Sequence, residues 1–229
     1  MKKGLILLIV LVLVSGVFWL WFFRQSKIEQ TAQTPAGVYE NSDVSPAALN
    51  AQDSPTSVEL GKLSSYTGDP IDNIGNDPFI QQVPADYLEK YKQELANFKK
   101  TLTENPGDAE AWVRVGVLKK FFNNYEGARD AWEYAKIVNP EFSTPYYNLG
   151  GLYAGYLKDN LKAEENYLKA IEIDSALPYL YLGLAEFYSV FYKEKSDQVE
   201  QVLQRGLKIL PGDESLLRAL ESYKSTASP

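Results

Sequence analysis

Residues 106–140 read PGDAEAWVRVGVLKKFFNNYEGARDAWEYAKIVNP. Trp112, Val115 and Gly116 fall at helical spacing, Asn123-Asn124 interrupts the run, and Ala128, Trp132 and Ala135 resume it before Pro140 ends it. The stretch therefore predicts two short helices joined by a tight turn, since Asn readily supplies turn geometry. Gly116 and Ala128 are small enough to let the helices approach, while Trp112 and Trp132 fill the space between neighbours.

The unit recurs at a period close to 34 residues. A second copy carries Tyr146, Leu149, Gly150 and Tyr153, then Ala163, Tyr167 and Ala170. The third carries Tyr181, Leu184, Ala185 and Tyr188, then Val199, Leu203 and Gly206. The register is set by a helix-ending residue six positions before each large opener: Pro106 before Trp112, Pro140 before Tyr146, Ser175 before Tyr181 and Pro211 before Leu217. Aligning Gly183 with Gly116 and Gly150 breaks that spacing and is rejected. The third copy departs most, with a longer inter-helix loop near Lys193 and Ser196.

This pattern resembles the W-x2-L-G … A-x3-F … P signature of the tetratricopeptide repeat over residues 85–224. The resemblance implies an all-α, antiparallel helix-pair solenoid that binds a protein or peptide partner and does no chemistry of its own. About three units are expected at residues 109–142, 143–177 and 178–213. One pair cannot bury its own apolar face, so modified ends are needed. A capping helix is expected at 84–105, with Tyr87, Leu88, Tyr91, Leu95 and Phe98 at helical spacing, and another at 214–224, with Leu216, Leu217 and Leu220.

Behind a short tail (residues 1–3), the stretch bounded by Gly4 and Phe23 is apolar apart from Ser15 and Gly16. At about 1.5 Å per residue it spans a hydrocarbon core of about 30 Å. Its aromatic end suits a membrane interface. A cleaved secretory signal ends in small residues, and a lipoprotein signal needs a Cys that this chain lacks. A pilin-like leader would carry Glu where Ile9 stands. The expectation is a single-pass anchor at 4–23 in the cell membrane. No Lys or Arg occurs between Ile28 and Gly61, which favours an N-in orientation with the repeats outside the cytoplasm.

Residues 24–83 are rich in Ala, Ser, Thr, Pro, Gln and Asp without apolar periodicity, and read as a flexible linker. Near its end, over residues 66–84, Ile71, Ile74, Phe79 and Ile80 offer apolar side chains; the segment reads first as a partly ordered lead-in, with docking on the first helix or a short recognition strip as the alternatives.

The chain has no His and no Cys, which removes the commonest general base, metal ligands and nucleophile pairs. No Gly-rich phosphate loop occurs. Neither an enzyme nor a cofactor is expected. Glu164-Glu165 and Asp213-Glu214 read as solvated faces or helix-start charges. Beyond Lys2, Lys3, Arg24 and Lys27 the balance is 19 basic against 30 acidic residues, which disfavours nucleic acid.

The resemblance places the binding surface on the first helix of each pair: Val113, Val117, Lys120 and Phe121; Tyr147, Asn148, Gly151 and Gly155; Tyr179, Leu182 and Glu186. Gly151 and Gly155 form a shallow floor. These side chains either meet a partner or pack against neighbouring helices and the tether. Of the positions that clamp a chaperone's C-terminal carboxylate in related repeats, only Asn148 matches; Val113, Val117, Tyr179 and Gly183 fill the rest. An apolar or aromatic segment in an envelope-associated scaffold is the expected ligand, with self-association into a homodimer as the alternative.

Overall fold

The computed structural model describes residues 63–227, and the expected anchor, N-terminal tail and most of the linker lie outside that range. Among the described residues the regular structure is all helical. Helix α1 (Ala85–Glu104) follows a 3₁₀ turn at Pro78–Gln82. Helices α2 (Ala109–Phe121) and α3 (Tyr125–Val138) form the first pair. Helix α4 (Ser143–Leu152), prolonged by a π turn at Tyr153–Leu157, pairs with α5 (Asn160–Ile173). Helix α6 (Pro178–Glu186), prolonged by a π turn at Phe187–Phe191, pairs with α7 (Val199–Ile209) through a 3₁₀ segment at Lys193–Gln198. Helix α8 (Glu214–Ala227) follows. Three helix pairs with a flanking helix at each end make a tetratricopeptide-like solenoid.

Local chemistry sets the boundaries. Asp108, Asn124 and Asp159 cap α2, α3 and α5 by accepting the N–H of Ala111 (2.9 Å), Gly127 (3.0 Å) and Lys162 (3.1 Å). Asn123 and Lys158 take left-handed backbone, φ 59° and 57°, and turn the chain between the paired helices. The six-residue spacing has a physical basis. Trp112 Nε1 donates to the Pro106 carbonyl (2.9 Å), and Tyr181 Oη donates to the Ser175 carbonyl (3.0 Å). These two openers thus reach back to fasten the turn before their own helices.

The small residues work as their spacing implies. A Cβ added to Gly116 would overlap the Trp132 indole, and one on Gly150 would lie 2.8 Å from the Tyr167 ring. Trp132 also donates from Nε1 to the Val113 carbonyl (3.0 Å), locking α3 onto α2. The longer loop of the third pair is held from outside. Glu164 on α5 accepts from Lys195 Nζ (2.5 and 2.6 Å) and from the Tyr188 hydroxyl. Glu164 is therefore a structural tie rather than part of a solvated face.

The linker reading is corrected for residues 63–83. This stretch lies across the first pair as a strap. The Tyr66 ring packs 4.5 Å from Trp112 and 5.4 Å from Tyr134, Ile74 is buried, and Phe79 meets Phe121 edge-on at 5.9 Å. Its polar anchor is Lys119, whose side chain is 0% exposed. Lys119 Nζ donates to the Asp69 carboxylate and to the carbonyls of Pro70 and Asn73, both at 2.8 Å. Asn124 Nδ2 donates to the same carboxylate (3.0 Å), and the Asp69 N–H donates to Asp130 (3.0 Å). The strap lacks periodicity because irregularly spaced side chains (Tyr66, Asp69, Ile74 and Phe79) and two backbone carbonyls, rather than a repeating apolar face, meet the repeat. With α1 it takes the place of a preceding helix pair.

Candidate partner-binding face

The eleven residues expected to bind a partner divide by environment. Val113 is corrected: it is buried, and its carbonyl is engaged by Trp132. The Phe121 ring is engaged by Phe79, by Tyr91 at 5.4 Å and by Phe122 at 5.0 Å, so it serves the strap and α1. Val117, Lys120, Tyr147, Asn148, Gly151, Gly155, Tyr179 and Leu182 are half-buried, and Glu186 is exposed.

Two sets of contacts involve several of these. Lys120 Nζ lies 5.4 Å from the centroid of Tyr156, whose ring stacks 4.3 Å from Tyr125. Tyr156 follows Gly155, and Asn148, Gly151 and Gly155 recur at i, i+3 and i+7, one face of α4 and its π turn. A Cβ on Gly151 would lie 3.4 Å from the Tyr167 hydroxyl, whereas one on Gly155 meets nothing within 4 Å. The Tyr147 ring stands 5.6 Å from Tyr167 and 5.0 Å from Tyr179, over Gly183. That contact gives Gly183 its purpose: it receives Tyr147 from the preceding repeat.

The electrostatics favour acceptors on an incoming ligand. Asn148 Nδ2 is shielded from solvent and has no hydrogen-bond partner among the described residues. Burial, with no carboxylate to offset it, holds the Lys120 ammonium below the ordinary lysine value. Burial, reinforced by Glu186, pushes the Tyr147 hydroxyl up; burial, then Tyr147 and Glu186, does the same for Tyr167. Both phenols stay protonated at neutral pH and keep a donor.

The π turns add a feature that periodicity did not reveal. They occupy the same place in the second and third repeats, and they leave Tyr156, Val190 and Phe191 exposed beside the glycine floor. Lys158 Nζ lies 5.8 Å from the Phe191 ring. Among the described residues no group of three or more His, Cys, Asp or Glu is placed to hold a metal ion.

No protein-family model matches the chain, and no curated protein matches it. The crystal structure of MamA is among the solved structures similar to it, at 17% identity and a TM-score of 0.46, over 56% of this chain and 74% of MamA.

Proposed function

We propose that this protein is a membrane-anchored interaction module that holds an extended peptide segment along the Asn148–Gly151–Gly155 line. The observation that carries the reading is the unpartnered, solvent-shielded Asn148 Nδ2 at the head of an open glycine floor. A buried amide donor left unpaired is unfavourable by about 1–3 kcal/mol, so a ligand carbonyl reaching it gains that free energy back. The peptide backbone lies over Gly155, its apolar or aromatic side chains meet Tyr147, Tyr156 and Leu182, and an acceptor of the peptide reaches Lys120. The recognised element is internal peptide, not a free C-terminus, because four of the five clamp positions hold other residues.

The apolar stretch bounded by Gly4 and Phe23 supplies the anchor, with the N-terminus cytoplasmic and the repeats outside, in an envelope-associated assembly. Among the described residues no helix is long and apolar enough to cross a membrane, so the anchor rests on the N-terminal sequence.

The test is capture of partners by cross-linking in membranes, followed by mass spectrometry. Gly155→Arg is expected to retain the wild-type melting temperature while partner recovery falls about tenfold or more; Asn148→Leu, which removes the donor, lowers it about tenfold. Undiminished capture by Gly155→Arg would place the binding surface elsewhere.

A further inference from the structure

The opposite side of the second and third repeats carries a second surface, built from α5 and α7. Between them lies a groove of about 410 Å³ with Ile171, Tyr181 and Leu184 on its floor and Leu168 at its α5 edge. Its α7 wall carries Arg205 and Lys208, neither of which makes an ion pair among the described residues.

The outer face of α5, next to this groove, has the complementary chemistry. Leu161 is 72% exposed and Leu168 39%, and Glu165 and Glu172 are exposed with them at i, i+4, i+7 and i+11. Lys169 pairs with Glu172 (2.8 Å), while Glu165 has no ion-pair partner among the described residues. The groove has an apolar floor and a polar wall in which Gln201 and Gln204 accompany the two cations, so it accepts two apolar knobs alternating with two carboxylates.

From this juxtaposition we infer that a second copy of the chain docks here, the α5 of each copy lying over the α5–α7 groove of the other. Both halves of the contact are on one surface patch, so a twofold axis beside α5 satisfies them together and the assembly closes as a dimer. Leu161 and Leu168 of one copy enter the groove, and its Glu165 faces Arg205 or Lys208 of the partner. The surface is formed by the second helices of the pairs. It leaves the Asn148–Gly155 line open, so dimerisation presents two peptide sites rather than blocking one.

The test uses the full chain in detergent, followed by sedimentation equilibrium. The wild type should associate reversibly to a dimer. Arg205→Glu places carboxylates opposite Glu165, and Glu165→Arg places cations opposite Arg205; each should weaken the homodimer about tenfold or more. A one-to-one mixture of the two variants should regain wild-type association, because opposite charges then meet at both contacts. That recovery distinguishes a docking effect from misfolding, which mixing does not repair. A wild type that stays monomeric to about 0.5 mM, a concentration at which even a contact of about millimolar Kd registers, overturns the inference. So does a dimer indifferent to both reversals, which assigns association to the N-terminal segment or the other face.

Discussion

Lys119 shows how much one side chain decides. It stands where the second and third copies carry Tyr153 and Tyr188, so the repeat pattern asks for an aromatic there. A phenol at that place donates once; an ammonium donates three times, and three acceptors of the strap converge on it. The departure from the pattern was legible in the sequence, but its meaning was not, because the partner Asp69 is 50 residues away in a stretch without periodicity. Removing one member of a buried ion pair typically costs about 3–5 kcal/mol. Lys119→Met should therefore lower the free energy of urea unfolding by about 3 kcal/mol. The pair also sets an acid limit. Burial opposes the Asp69 carboxylate, but hydrogen bonds from Lys119, Asn73 and Asn124, with the Lys119 charge, overcome it and hold the carboxyl below its ordinary value. A depressed folded value gives stabilisation that is complete above the unfolded value of about 3.9 and is lost as pH falls through the folded one. Urea midpoints should thus hold down to about pH 5 and fall below about pH 4. The fall should be shallower in Lys119→Met; an equally steep one would assign the acid limit to other carboxylates.

At the level of elements, the helix pairs were readable because close packing leaves a mark in composition. Gly116 and Gly150 are small for the same reason, a ring from the second helix pressed against the first. The π turns left no such mark, since an i→i+5 backbone pattern shifts which residues face outward without changing residue types. Membership of the candidate face was not legible: Val113 and Phe121 obey the same spacing as their neighbours, and only the packing of Trp132 and the strap takes them out. These differences give opposite expectations for one kind of substitution. Gly116→Ala and Gly150→Ala force a methyl into an aromatic ring and should each destabilise by about 1–3 kcal/mol. Gly155→Ala meets open space and limits the unfolded chain, so it should be neutral or stabilising by up to about 1 kcal/mol. Thermal denaturation of the three variants checks this, and a Gly116→Ala chain that melts with the wild type would contradict the close approach of α2 and α3.

For the whole molecule, the question is how the described residues share their stability. In a solenoid each unit touches mainly its neighbours, so stability is a sum of local terms and the ends matter most. The two ends here are built differently. At one, the strap and α1 cover the Trp112, Tyr134 and Phe121 rings; at the other, α8 buries Leu216 and leaves Leu217 exposed. Deleting residues 63–83 would uncover those rings and strip Lys119 of its acceptors while leaving every contact of the third pair in place. With Ile74 buried and Tyr66, Phe79 and Ile80 half-buried, the loss is of order 3–5 kcal/mol after allowing for the entropy of ordering the strap. At about 2–4 °C per kcal/mol the melting temperature should drop by roughly 10 °C. Amide hydrogen exchange tests the distribution of that loss. Protection should fall sharply in α2 and α3, less in α4 and α5, and hardly at all in α6 and α7, because the perturbation has to pass through each repeat interface in turn. An equal fall in all three pairs would mean that the array unfolds as one cooperative body and that the strap stabilises the whole of it, not only the repeat it touches.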